Sequence, residues 1–350
     1  MLRFSSVKLG SARFLKELRS LHTEALVSPI NKILKDEQIN IEEGQPKQSW
    51  KNYEKMSRLP YVRFNALEPI VRKEIERSQT EKKLHLSTLP RFSSLLNGLR
   101  PNELTIFTGP TGCGKTTALV QMSLDYCLQG VRVLWGSFEI RNPRLAQVML
   151  QQLAMTPLVN EETNTFAEKE YSAASQRLGE IPMHFMNLFG STGLDTVLDT
   201  MEMSMRIDGP KPQLIILDNL QFMLSGQGSS SLDRWELMDR AIINLRAFCS
   251  AYPVHVILVV HPRKELDDTY LGIASVAGTA KATQEADNVF ILQKLPDKRY
   301  LEIKKNRFHG ELGRVRIGFV PSSRMIVEQR EEEEPSAAAH SSADDQGVDF

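Results

Sequence analysis

The sequence contains no uninterrupted apolar run near the roughly 18 residues that a membrane-crossing helix needs, so it reads as a soluble chain with no membrane span. Its three cysteines, Cys113, Cys127 and Cys249, are odd in number, widely spread and never arranged as C-x-x-C. That usage argues for a reducing compartment, against a disulfide framework and against a zinc site. Net charge is also missing, because 43 Lys and Arg balance 43 Asp and Glu. The balance is uneven along the chain: the last twenty residues hold seven acids and no Lys or Arg, leaving 43 basic against 36 acidic residues in the body. So modest an excess permits a polyanionic partner without requiring one, since contact with phosphate needs only a local stripe of Lys and Arg. No internal repeat stands out.

What is present suffices for a folded domain. At 350 residues and 41% hydrophobic content, the chain can hold one large core with appendages. The opening "MLRFSSVKLGSARFLKELRS" is basic, contains serine and is nearly free of acids. Two readings fit it, a mitochondrial targeting segment and the remnant of a domain cut short. Residues 1–59 are assigned to that remnant or targeting segment, and 60–85 to a linker with a helix at "LEPIVRKEIERSQ". Residues 329–350 read as a disordered acidic tail, too poor in apolar surface to order itself.

Between them, 86–328 alternate short apolar strands with longer helical stretches. "LTIFT" precedes a helix from Lys115 to Leu128, and "VRVLWGSFE" precedes one beginning near Asn142. A strand at "PMHFMN" is followed by a helix across "TGLDTVLDTMEMSM". "QLIILDN" and "VHVILVV", apolar throughout, read as strands buried on both faces, separated by a long helix over "LDRWELMDRAIINLRAFCSAY". "NVFILQK", "RYLEIKK", "GRVRIGFV" and "RMIVEQ" complete the set, the last close enough together for hairpins. The fold class is therefore α/β with a central, mostly parallel sheet.

One turn carries the strongest chemical signal. Gly109-Pro110-Thr111-Gly112-Cys113-Gly114-Lys115-Thr116 fits G-x-x-x-x-G-K-[ST], with Thr117 next, between an expected strand and an expected helix. Its glycines let backbone N–H groups curl round phosphate oxygens, and the helix N-terminus adds partial positive charge. Lys115 can reach the outer phosphates of ATP, and the Thr116 hydroxyl can ligate Mg²⁺.

Three residues at strand ends extend that reading. Asp218 closes "QLIILD" and suits Mg²⁺ held through water, or else caps the strand end. Glu139, read as the end of "LWGSFE", could accept a proton from the water that attacks the γ-phosphate, or be an ordinary surface residue. His261, after "VHVILVV", could hydrogen-bond the γ-phosphate, or serve structure alone.

The ordered set "FTGPTGCGKTT", "LWGSFEI", "LIILDNLQFM", "VVHPRKE", "GTAKATQEADNVFIL" and "KKNRFHGELG" resembles the helicase domain of the Twinkle-type mitochondrial replicative DNA helicases. More broadly it is similar to phage primase-helicases and DnaB-type helicases. The resemblance covers roughly 86–328 and implies a RecA-like core assembled as a ring, usually of six, with ATP bound between neighbours. It implies that Glu139 is the catalytic glutamate, Asp218 the Mg²⁺-associated aspartate and His261 the γ-phosphate sensor. It makes Arg307 the arginine finger that reaches a neighbour's site, with Lys305 beside it. On a strand, side chains two apart point the same way, so these two could address one anion while Asn306 faces the other side. An exposed basic edge strand is the alternative.

The resemblance also places Arg263, Lys264 and Lys281 on loops that grip single-stranded DNA in the channel, where each could instead be a solvated loop residue. Phe319 falls near an adenine-stacking position, or in the core. By the same resemblance the partners are single-stranded and forked DNA, further copies of the chain and replication proteins. The resemblance further implies 5′ to 3′ helicase action in the mitochondrial matrix and nucleoid. The departure is at the N-terminus, where only "VKLGSARFLKEL" faintly matches the primase-like domain of such proteins, as in a truncated product or short isoform. A RecA-type strand-exchange ATPase and a non-catalytic DNA-binding or assembly subunit are the competing readings.

Overall fold

A computed structural model describes residues 61–80, 85–160, 162–227, 231–262, 269–276 and 281–330. The expected N-terminal segment 1–59, Arg263, Lys264 and the acidic stretch 331–350 lie outside those residues. The chain divides into two units, Met1–Glu81 and Lys82–Phe350. The first shows the expected linker helix, α1 (Phe64–Thr80), with an Arg72–Glu68 ion pair one turn apart at 3.1 Å. Phe64 and Ile75 on it are exposed. Among the described residues no helix is long and apolar enough to cross a membrane.

The second unit runs α2 (Pro90–Leu96), β1 (Leu104–Thr108), α3 (Lys115–Leu128), β2 (Val133–Ser137), α4 (Asn142–Ala154), α5 (Glu168–Glu180), β3 (Met183–Phe185) and α6 (Leu194–Arg206). It continues through β4 (Leu214–Asp218), α7 (Leu220–Met223), α8 (Ser231–Ala251), β5 (His255–Val259), α9 (Lys281–Glu285), β6 (Asn288–Lys294), β7 (Arg299–Asn306), β8 (Gly313–Val320) and β9 (Met325–Glu328). The strands form one nine-stranded sheet in the order β3-β2-β4-β5-β1-β6-β7-β8-β9. The six strands from β3 to β6 pair in parallel, and β6 through β9 pair as antiparallel hairpins. This is the α/β class with a mostly parallel sheet that the alternation predicts.

Burial explains why the parallel strands read as continuous apolar runs. Ile215 and Leu217 face a core built with Val197, Met201, Leu245 and Phe248 of α6 and α8. Leu214 and Ile216 face the opposite core, with Phe92, Leu119 and Tyr126 of α2 and α3. The period of two thus places successive residues in different cores, and both faces demand apolar side chains. The edge strand β9 is satisfied in an unusual way: Gln121 of α3 donates to the Ile326 carbonyl at 2.9 Å and accepts from its N–H at 2.8 Å. A helix side chain thereby takes the place of a neighbouring strand.

Three expectations need correction. β2 ends at Ser137, so Glu139 stands in the bend after the strand, because Phe138 turns inward and is buried. β7 ends at Asn306, so Arg307 lies one residue past the strand, next to a register shift between Val289 and Phe290 on β6. Phe319 is 44% exposed on β8, which excludes the core alternative.

Candidate functional site

The site follows from strand order. β2, β4, β5 and β1 are consecutive neighbours in the sheet and all parallel, so their carboxyl ends line one edge. Glu139 follows β2, Asp218 ends β4, His261 follows β5 and the glycine-rich turn follows β1. Residues spread over more than 150 positions of chain are brought to one crevice, where open α/β sheets bind ligands.

The turn is shaped by close approach. Gly109 has φ +155°, and a Cβ there would lie 2.5 Å from the Leu292 carbonyl oxygen on β6. Gly114, at φ +105°, is the N-cap of α3, a conformation that costs an L side chain strain. The first N–H groups of α3 have no partner inside the helix and point into the turn, together with the positive end of the helix dipole. Lys115 is buried and folds back over the loop, donating from Nζ to the Gly109 carbonyl at 2.8 Å and the Pro110 carbonyl at 2.9 Å. Burial holds the neighbouring Cys113 thiol above its ordinary range, so it stays protonated.

Beside this cradle the Thr116 hydroxyl donates to Asp218 Oδ2 at 2.6 Å. Burial pushes the Asp218 pKa up to about 6; the Thr116 hydrogen bond opposes the rise, Glu139 adds to it and Lys115 opposes it. A hydroxyl and an under-compensated carboxylate, both next to a phosphate cradle, form the oxygen set that a hard divalent cation takes. The residues therefore fit Mg²⁺ held with a nucleotide.

Glu139 and His261 are joined by a residue that the sequence reading passed over. Asn219 Nδ2 donates to Glu139 Oε2 and also contacts His261 Nε2 at 3.0 Å, while its Oδ1 accepts from the Phe222 N–H at 3.0 Å and so caps α7. Gln221, also passed over, accepts from the His261 N–H at 3.0 Å and donates to its carbonyl at 3.4 Å. Burial, with Lys115 adding to it, lowers the His261 pKa to about 4 and keeps the ring neutral. The only signal in the sequence was an Asn after a strand end, a common helix cap.

The basic pair lies at the opposite end of the sheet. β7 is antiparallel to β6, and Asn306 pairs with Asn288 at the start of β6, level with Thr105 at the start of β1. The five residues of β1 separate that end from the glycine-rich turn by roughly 15 Å. Arg307 donates to Asp287 Oδ1 at 3.1 Å and to the Gln284 carbonyl at 2.9 Å. Lys305 donates to the Thr283 carbonyl at 2.7 Å and the Gln284 carbonyl at 3.2 Å. The expected side-by-side placement holds, since both cations address Gln284, and Asn306 is buried on the other side. Lys281 opens α9, the helix those carbonyls terminate, and pairs loosely with Glu285 at 3.8 Å. Phe319 lies two residues beyond Ile317, which pairs through Arg299 with Lys294 at the carboxyl end of β6, so it stands at the cradle's edge of the sheet, three strands from β1.

The chain matches the family described as AAA domain over residues 72–267. It is 22% identical over 234 residues to the DNA repair protein RadA of Listeria monocytogenes serovar 1/2a, an alignment covering 66% of this chain and 42% of that protein. The chain thus spans less than half the length of this relative. Among solved structures it is similar to one described as an ATPase domain, with a TM-score of 0.64 at 15% identity, covering 75% of this chain and 98% of that one. It is also similar to a DnaB-like replicative helicase described with its interactions with primase, with a TM-score of 0.63 at 14% identity over 75% of this chain and 66% of the other. These likenesses establish a RecA-like fold.

Proposed function

This chain belongs to the AAA domain family, and from that premise we propose that it is an ATP-dependent DNA helicase of the ring-forming replicative type, hydrolysing ATP between subunits to move along single-stranded DNA. The observation that carries the reading is the division of the chemistry between the two ends of one sheet. Lys115, Thr116, Asp218, Glu139 and His261 gather at one end, and Arg307 with Lys305 stands at the other, beyond reach of its own chain's phosphate cradle. A cation so placed can act on a phosphate only if that phosphate belongs to a neighbour.

The residues take the following parts. The backbone N–H groups of 109–116 and Lys115 bind the β- and γ-phosphates. Thr116, with Asp218 beside it, would hold Mg²⁺, which would neutralise phosphate charge. Glu139 orients the water and takes its proton as the water oxygen bonds to the γ-phosphorus; the bond to the β,γ-bridging oxygen breaks, leaving ADP and phosphate. Arg307 of one subunit, with Lys305, offsets charge on the transferring phosphoryl group of the next. His261 reads the γ-phosphate, and Phe319 stacks on the adenine.

Lys281, together with Arg263 and Lys264, contacts the DNA backbone, which carries no sequence information and so suits a translocating motor. The motif set in its order supports a Twinkle-type assignment, with a hexameric ring, forked DNA as substrate, 5′ to 3′ polarity, replication proteins as partners and a mitochondrial location. The test is ATP turnover with and without single-stranded DNA across protein concentration. Activity per chain should rise with concentration and with DNA, and Lys115→Ala should abolish it. Full turnover per chain in demonstrably monomeric protein would overturn the shared-site mechanism. The similarity to a DNA repair protein favours one second reading, a filament-forming strand-exchange ATPase. Closed rings in negative-stain images exclude it, and helical filaments on DNA support it.

A further inference from the structure

We infer that Asn219 is a positioning residue that ties the water-orienting Glu139 carboxylate to the His261 imidazole, so that the γ-phosphate sensor and the catalytic carboxylate respond together. The inference rests on the ATPase reading above. Asn219 is fully buried, and each polar end of its amide has a defined partner. Oδ1 accepts the Phe222 N–H; one Nδ2 hydrogen goes to Glu139 Oε2 and the other faces His261 Nε2 at 3.0 Å. Glu139 Oε2 and His261 Nε2 stand 3.8 Å apart, beyond a hydrogen bond, so the amide is the link between them.

Proton counting gives the link its consequence. An amide N–H donates, so His261 Nε2 accepts and the neutral ring carries its proton on Nδ1. The lowered pKa of about 4 agrees with that neutral form. To hydrogen-bond a γ-phosphate oxygen through Nε2, the ring must change tautomer, gain a proton or turn. Each of these breaks the bond to Asn219 and leaves the amide held on the Glu139 side alone. Gln221 fixes the His261 backbone on both its N–H and its carbonyl, so the response is confined to the side chain. α7 supplies both amides, Asn219 as its cap and Gln221 within it. The titratable groups around the pair are Glu139 after β2, Asp218 at the end of β4, His261 after β5 and Lys115 at the start of α3.

The test uses the full chain with saturating single-stranded DNA and measures kcat, KM for ATP and the pH profile of kcat. Asn219→Asp keeps the acceptor that caps α7 but cannot donate to either partner. It should lower kcat about tenfold or more while KM changes less than about twofold, and move the acid limb of the profile to higher pH. Asn219→Ser, a good cap with one hydroxyl donor, should recover part of the loss. It also carries the test if the Asp variant no longer binds a fluorescent ATP analogue. In a His261→Ala background the same substitution should cost clearly less than it does alone, because one end of the link is already gone. Losses that multiply independently, or wild-type kcat in both variants, would overturn the inference while leaving the ATPase reading in place. A wild-type chain that hydrolyses no ATP overturns both.

Discussion

Asp218 and Asp287 are 3% and 4% exposed and stand at opposite ends of one sheet, yet their surroundings differ. Asp287 accepts from Arg246 at 2.5 Å, from Arg307 at 3.1 Å and from the Leu104 N–H at 2.9 Å. Asp218 accepts the Thr116 hydroxyl, and burial drives its pKa up to about 6. Removing a carboxylate from water costs several kcal/mol unless cations and N–H groups replace the hydration. That cost is met within the chain at one end of the sheet and left open at the other. The open carboxylate sits where a cation and phosphates would arrive, and the compensated one holds the arginine assigned to a neighbour's phosphate. For Arg307 to act in trans, it must exchange Asp287 for another anion.

The comparison can be broken most directly at Arg307. Arg307→Ala should cut DNA-stimulated turnover ~10³-fold or more in steady-state assays, while binding of a fluorescent ATP analogue stays close to wild type. Loss of binding instead would place the arginine on its own chain's nucleotide. Next in size, Asp287→Ala leaves Arg246 short of its partner and should lower stability by roughly 3–5 kcal/mol in urea titrations, with Asp287→Asn less severe.

At the other end the sign reverses. The folded pKa of Asp218 is raised, so its contribution to stability is present below its unfolded pKa and lost as pH rises through about 6. Without nucleotide or Mg²⁺, Asp218→Asn should therefore be more stable than wild type at pH 8, by about 2–3 kcal/mol, with no difference below pH 4. A variant less stable at pH 8 would mean that the carboxylate is compensated after all. The smallest effect is expected at Phe319, whose exposure makes it nearly neutral for folding. Phe319→Ala should raise KM for ATP roughly fivefold and leave the denaturation midpoint unchanged.

Much of this is legible in the residues themselves. The glycine-rich turn can be read because its chemistry is local: the residues that bind phosphate are neighbours in sequence, and the helix from Lys115 to Leu128 starts and stops where the pattern says. Asp218 is legible because its strand announces itself as a run buried on both sides. By contrast α5 buries only Ala174 fully, with Leu178 partly buried against the core, so its apolar stripe is too thin to stand out and the sequence reading misses it. Glu139 reads as a strand residue because nothing in "LWGSFE" marks the inward turn of Phe138. Asn219 shows in the sequence only as a helix cap, and Gln221, Asp287 and Arg246 carry no signal of their own, since each meets a partner at least 40 residues away in the chain.

What the sequence alone determined was the α/β alternation, the phosphate turn and the identity of the groups at strand ends, all consequences of short-range periodicity and local stereochemistry. What only the tertiary structure decided was which strand ends share an edge. The order β2-β4-β5-β1 is not the order of the chain, and hydrogen-bonded neighbours in a parallel sheet are chosen by packing on both faces rather than by proximity in sequence. That choice set Asn219 between Glu139 and His261, and it put Arg307 at the far end from its own cradle.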